Sequence, residues 1–464
     1  MSRRILIDPV TRLEGHGQIQ ILLDAGGNVS DVLFQTPEFR GFEKFCEGRA
    51  VEEMPTLTQK ICGVCPMAHH MASTKALDDL FSVSVPPAAQ KIRELAYHAF
   101  IFEDHLLHIY YLGGPDWLMA PDTPPHQRNI LGLAGQMGQA FITRMMAARH
   151  QARDLIARIA GSALYPVFGL PGGVSKPLTH DDQVAAVSAS RVMIEFAVIS
   201  VKLFENLLKT GTFFSELITD PVYYQRTYSM GMTDADGRLQ FYDGVIRIVD
   251  PGGAPVATFR AGEFSGYLTE RVDGRTYVKT PAIRDAGWRG FPEDEVITAY
   301  RVGPLARLNV VSEIPTPRAQ AACDGMMTFF GGRPVHHTLA YHWARLIEAL
   351  YAAERVAELA ADPDIVSSEI RNIPSHLPDE GGMGSGGCEA PRGTLFHSYQ
   401  ASTDGIIQKL NLLVGTQHNA AALYRSVHQA ASMLITDGRV SDAILNRIEM
   451  AYRAYDPCLA CATH

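Results

Sequence analysis

The chain has 464 residues, of which 46% are hydrophobic and 20% charged. That composition excludes a disordered, collagen-like or coiled-coil protein and leaves ample apolar mass for a buried core. Lys and Arg number 41 against 50 Asp and Glu, so the formal net charge is −9, without the overall basic excess of a nucleic-acid binder.

The first forty residues predict strands. Ile5–Ile7, Gln18–Leu22 and Val29–Phe34 alternate or are β-rich, and Gly26-Gly27-Asn28 supplies a turn. The N-terminal arginines precede no apolar run with a cleavage site, which predicts no signal peptide and a cytoplasmic location. From Pro86 to Leu112 the spacing predicts a helix, with Ile92, Leu95, Ala96, Ala99 and Phe100 on one face. Further helices are expected over Gln127–Ile159, broken near Gly135, and over Asp181–Leu208. The most apolar stretch, Val184 to Phe204, is interrupted by Arg191, Glu195 and Lys202, so no membrane span is expected.

Residues 223–300 change character. Asp236-Gly237 and Pro251-Gly252-Gly253 mark turns around a β-rich Leu239–Val249, which predicts a strand-bearing insertion. A long helix is expected over Thr338–Ala361, and a Gly- and Pro-rich loop over His376–Gly393. The C-terminal helix should start at the N-cap Ser441, bury Ile444, Leu445, Ile448 and Tyr452, and end at Pro457. No repeat or linker divides the chain. The expectation is one α+β, mainly α-helical domain over residues 1–464.

Seven cysteines are too sparse for a disulfide framework. Cys46, Cys323 and Cys388 are scattered, whereas Cys62/Cys65 and Cys458/Cys461 form two Cys-x-x-Cys pairs at opposite ends of the chain. Two intervening residues let both sulfurs of a pair turn toward one metal, and four thiolates favour zinc, iron, nickel or copper(I). Spacing alone leaves open a structural zinc site, a catalytic transition-metal site or two separate thiol pairs. His98, His105 and His108 could share a helix face, but packing or interface roles are expected of them. Gly381 to Gly387 is followed by no Lys-Ser/Thr, so it is not read as a phosphate loop.

The flanking residues add five motifs in order. They are Arg12-Leu13-Glu14-Gly15-His16, Phe39-Arg40-Gly41-Phe42-Glu43, Ile61-Cys62-Gly63-Val64-Cys65, Glu389-Ala390-Pro391-Arg392-Gly393 and the segment Asp456 to His464. With these the chain resembles, over nearly its whole length, the large catalytic subunit of nickel–iron hydrogenases. The resemblance implies a central helical bundle with peripheral strands, and reversible heterolytic oxidation of H2 to protons and electrons.

It also implies a site. Cys62 and Cys458 would be terminal ligands of nickel, and Cys65 and Cys461 would bridge nickel to an iron carrying carbon monoxide and cyanide. His69 would hydrogen-bond a bridging sulfur. Glu43, His464 and the backbone carbonyl of Leu412 would bind Mg2+. Glu14 would receive a proton from a terminal cysteine; on a purely structural reading it would pair with Arg12. Arg392 would hang over the open metal position, supported by Asp104 and Asp456. Thr416 would hydrogen-bond a cyanide, although Gly415 stands where many relatives have proline. An endopeptidase of the family cuts after the C-terminal histidine, so a chain ending at His464 is expected to be the mature form.

Pro66, the His69-His70 pair, the segments Arg301–Asn309 and Arg453–Cys458, and Gly415-Thr416 look like the soluble bidirectional NAD-reducing branch. That implies two kinds of partner: a diaphorase binding FMN and NAD, and an iron–sulfur small subunit. No further cysteine cluster and no Gly-x-Gly-x-x-Gly dinucleotide loop is read in this chain, so those cofactors are expected on the partners. The alternatives are a related hydrogenase using NADP, a deazaflavin coenzyme or a ferredoxin or disulfide reductase, a structural zinc protein, or a non-catalytic subunit like that of respiratory complex I.

Overall fold

The N-terminal segment forms an antiparallel three-stranded sheet of Arg3–Ile7, Gln18–Leu23 and Val29–Gln35. Alternation sets its faces, so Ile19, Ile21 and Leu23 all point into the core. The computed structural model describes residues 3–38, 40–287, 298–374 and 381–464.

Four long helices, Pro87–Leu107, Gln139–Ala160, His180–Lys209 and Ala340–Ala361, pack against one another as the central bundle. The first starts with Pro87, whose missing N–H is not needed in the opening turn. It does not run on regularly to Leu112. A wide π-type turn over His108–Leu112 replaces the last predicted turns, with the Gly113 N–H donating to the His108 carbonyl at 2.7 Å. The expected break near Gly135 falls instead at Gly138, which takes φ 83° between Ile130–Met137 and Gln139–Ala160.

His180–Lys209 is capped by Thr179, whose Oγ accepts from the Asp182 N–H. By length and composition this helix could cross a membrane, contrary to the reading from its charges. Here it buries Ala186, Met193, Phe196, Ala197 and Phe204 and packs against two neighbouring long helices, as a core helix does.

The strand-bearing region holds a four-stranded sheet in the order Tyr300–Arg301, Tyr228–Thr233, Val245–Val249, Pro255–Phe259. Leu268–Arg271 and Thr280–Ile283 form a separate pair. Of the β-rich Leu239–Val249 only Val245–Val249 is strand.

The glycine-rich stretch is the main correction. Residues 375–380 lie outside the described residues, but Gly382–Ala390 is a strand, paired with Gly393–Ala401 and through it with Ile407–Leu413. Its glycines let the helix Pro66–Leu80 lie directly on the sheet. A Cβ at Gly384 would sit 2.3 Å from the Ala76 carbonyl oxygen, and one at Gly386 2.2 Å from that of Ala72. Gly382, Gly384 and Gly387 do have the Gly-x-Gly-x-x-Gly spacing, yet they lie inside a strand that opens no helix. A dinucleotide loop needs that strand-to-helix turn.

At the C-terminus Ser441 caps Asp442–Arg453, and Ile448 and Tyr452 are buried as expected. The helix ends at Arg453, ahead of Pro457.

Buried imidazoles make this fold acid-sensitive. Burial holds His70 and His105 down to about 4 and His98 and His418 down to about 3. The unfolded value is about 6.5, so below it the unfolded chain binds more protons and stability is lost as pH falls toward the folded values. The melting temperature should therefore drop steadily between about pH 7 and about pH 5. A flat profile by circular dichroism over that window would contradict these neutral buried histidines.

Candidate metal centre

Cys62 and Cys65 immediately precede the helix Pro66–Leu80, with Pro66 at its first position. Cys458 and Cys461 open the short helix Leu459–Thr463. The four sulfurs lie within 4.8 Å of one another, and all are buried. Cys62 and Cys458 approach to 3.3 Å, Cys65 and Cys461 to 3.2 Å. Among the described residues this is the one group of three or more His, Cys, Asp or Glu close enough to hold a metal.

The donor set fits a soft transition metal. Hydrogen bonds from Cys458 and the other sulfurs hold the Cys62 thiol well below its usual range, while burial pushes Cys458 and Cys461 far up. For all four to ionise at this spacing, a cation is needed among them. Beside them lies a cavity of ≈ 20 Å³, bounded by Cys65, Cys458 and Cys461 and by Arg392, Leu395 and Thr416. It has room for ligands of a few atoms and excludes an organic substrate. A larger groove of ≈ 930 Å³ near Lys75, Asp243 and Arg260 has no cysteine or histidine in its lining.

Glu14 meets this centre through backbone pairing of the first and last motifs. It forms a parallel bridge with Cys458, and its carbonyl accepts from the Leu459 N–H at 3.1 Å. Its Oε2 is 3.0 Å from the Cys458 sulfur and accepts from the Ala460 N–H at 3.1 Å. Burial, reinforced by Cys62, raises its carboxyl to about 7. The structural reading fails, because Arg12 pairs with Asp116 at 2.6 Å and with the Leu112 carbonyl.

Arg392 reaches Asp104 at 3.2 Å and Asp456 at 3.1 Å, and all three are buried. Burial and the neighbouring Asp456 push Asp104 up; against its own burial, Arg392 and His108 hold Asp456 down. Asp456 takes φ 56°, a conformation that L-residues rarely adopt and that functional sites tend to store. Thr416 Oγ1 accepts from the Cys458 N–H at 3.0 Å, which leaves its own O–H to donate into the cavity. Gly415 has a local cause: a Cβ there would lie 2.8 Å from the Arg392 carbonyl carbon, so proline would not fit.

His69 Nε2 is 3.3 Å from the Cys461 sulfur. Glu43 and His464 also converge, with His464 Nε2 3.5 Å from Glu43 Oε1. Leu412 joins them, its N–H donating to Glu43 at 3.0 Å. Burial opposes the charge on Glu43, but His464, Lys279 and Leu412 hold it down to about 2. Lys279, 2.9 Å from Glu43 and 3.5 Å from Glu270, had no motif to announce it.

The three helix histidines have different partners. His98 bonds the Glu94 carbonyl and His105 pairs with Glu348, but His108 reaches Asp456 at 3.0 Å and so belongs to the Arg392 network. His397 and Tyr399 were also missed. Polar residues two apart in the buried strand Gly393–Ala401 were the available signal.

A family model described as nickel-dependent hydrogenase matches residues 40–124 and 293–464, and one described as HoxL-like matches residues 4–39. The chain is 40% identical over 463 residues to an iron-sulfur subunit of the F420-non-reducing hydrogenase of Archaeoglobus profundus, covering 100% of this chain and 94% of that one. It is 35% identical over 479 residues to the NAD-reducing hydrogenase HoxS subunit beta of Cupriavidus necator, covering 100% and 95%. The crystal structure of an NAD+-reducing NiFe hydrogenase in the H2-reduced state superposes with a TM-score of 0.91 at 37% identity, covering 100% and 99%. Likeness of this degree along the full length, on a buried centre built from both ends, means that the chain belongs to the nickel-dependent hydrogenase family as a large, catalytic subunit.

Proposed function

We propose that the chain oxidises H2 reversibly at a nickel–iron centre and that partner subunits carry the electrons to NAD. The observation that carries this is four buried thiols meeting beside the Glu14 carboxylate. Cys62 and Cys458 would be terminal on nickel, and Cys65 and Cys461 would bridge it to iron. Arg392 and Thr416 line the small cavity beside these sulfurs, and the iron would supply its carbon monoxide and cyanide ligands there. When bound, the centre supplies heterolytic cleavage of H2 and takes up its electrons.

The chain's own residues manage the proton. Glu14 stands within hydrogen-bond reach of Cys458, and it is half-buried, two residues from the exposed His16. Arg392, fixed by Asp104 and Asp456, places positive charge in the wall of the cavity. Glu43, Leu412 and His464 would hold Mg2+ under the C-terminal segment; the buried His464 Nε2, short of a hydrogen-bond partner, favours a cation there. Lys279 already pairs with Glu43, so the ion would have to share that carboxylate with its ammonium.

An iron–sulfur small subunit would receive the electrons, and a diaphorase with FMN would reduce NAD. The NAD linkage leans on the relatives of that name. A second reading keeps the centre and changes the acceptor, favoured by the 40% identity to a subunit of the F420-non-reducing kind.

Cys65→Ala or Cys461→Ala should abolish H2 oxidation and remove nickel, since a methyl group cannot bridge two metals. Infrared bands of carbon monoxide and cyanide should mark the native protein; an active preparation with zinc alone contradicts the centre. Glu14→Gln should keep the metals and bands while H2 oxidation and H/D exchange fall at least ~10²-fold. Para/ortho hydrogen conversion, which needs no proton to leave, should persist. Near-normal H/D exchange in the metallated variant would move the proton route elsewhere. The isolated chain should not reduce NAD, whereas the co-purified complex should. A complex active only with another acceptor rules out the NAD branch and leaves the centre standing.

A further inference from the structure

A single row of hydrogen bonds leads from Cys461 into the protein. Cys461 Sγ lies 3.3 Å from His69 Nε2, and His69 Nδ1 lies 3.1 Å from His397 Nε2. His397 Nδ1 is 2.7 Å from Tyr399 Oη, which is 2.8 Å from Ser73 Oγ. All these side chains are buried. Two periodicities build the row. His69 and Ser73 are four apart on one face of the helix Pro66–Leu80, and His397 and Tyr399 are two apart on one face of the strand Gly393–Ala401. The helix reaches this sheet because Gly384 and Gly386 of the adjoining strand present no side chain to it.

A neutral imidazole carries one N–H, so its two nitrogens take opposite roles. Two facing cationic rings without water would be costly. The row then has two consistent polarities. With Cys461 as a thiol, S–H donates to His69, His69 Nδ1–H to His397, His397 Nδ1–H to Tyr399, and the Tyr399 O–H to Ser73. With Cys461 as a thiolate, the bonds from Tyr399 to the sulfur reverse. Tyr399 turns its O–H from Ser73 to His397 Nδ1, His397 Nε2–H donates to His69 Nδ1, and His69 Nε2–H to the sulfur.

We propose that Tyr399 and His397 are positioning residues that make His69 an N–H donor to the Cys461 thiolate and strengthen that donation. The proposal rests on Cys461 being a metal-bridging thiolate. Each donor in the row polarises the next, so the last N–H is the strongest. A hydrogen bond donated to a thiolate draws electron density from the sulfur and from metals it bridges.

The test is infrared spectroscopy of the complete hydrogenase, with nickel and iron measured alongside. His397→Leu removes the donor to His69 and should move the carbon monoxide and cyanide bands to lower wavenumber. Tyr399→Phe keeps the ring and removes one hydroxyl; its bands should move the same way by less. His397→Gln, which restores an N–H donor, should return them toward the native position. Native-position bands in fully metallated His397→Leu and Tyr399→Phe overturn the proposal. If His397→Leu fails to take up metal, Tyr399→Phe decides by the same criterion. Absence of the bands from the native complex would instead defeat the nickel–iron reading itself.

Discussion

Four cysteine sulfurs held within 4.8 Å in a buried interior would repel one another as thiolates and be poorly solvated, so ionising them together needs a cation and a rigid frame. The frame is made from both ends of the chain. The bridge between Glu14 and Cys458 joins the first motif to the last, and the helices Pro66–Leu80 and Leu459–Thr463 start at the two cysteine pairs. Helix starts suit this task because their unpaired N–H groups favour negative charge nearby.

Several charged side chains buried around the centre have opposite-sign partners from distant segments. Asp116 takes Arg12 at 2.6 Å and Arg453 at 2.8 Å, fastening the first motif and the helix that precedes the last motif to one short helix. Arg307 joins Glu348 at 2.6 Å to Glu389 at 2.7 Å, which ties the bundle to the segment carrying Arg392. Replacing such groups by apolar ones can be neutral, but removing one partner alone typically costs about 3–5 kcal/mol because a charge is left stranded. These pairs therefore act chiefly to fix where Glu14, Arg392 and the cysteines stand.

The same demand for close, fixed geometry explains the glycine-rich strand. It presents no side chains where the helix Pro66–Leu80 lies on it, so that helix can bring His69 both to Cys461 and to His397. Gly415 plays a comparable part beneath Arg392. Neither position needs the left-handed backbone freedom of glycine; each needs its lack of a Cβ.

Local periodicity determined the N-terminal strands, the long helices and the Ser441 cap, because these depend on neighbours within a few residues. The two cysteine pairs marked a thiol metal site and the five motifs marked the family, because ligand type and motif are written in residue identity. Tertiary structure alone decided the rest. The glycine stretch is a strand because a helix lies on it; Arg12 binds Asp116 rather than Glu14 because folding delivers Asp116 to it. Lys279 beside Glu43, His108 beside Asp456 and the row through His397 to Ser73 join residues far apart in sequence, and no local pattern encodes such contacts. A side chain's partner is fixed by which surfaces pack together, and that is a property of the whole fold.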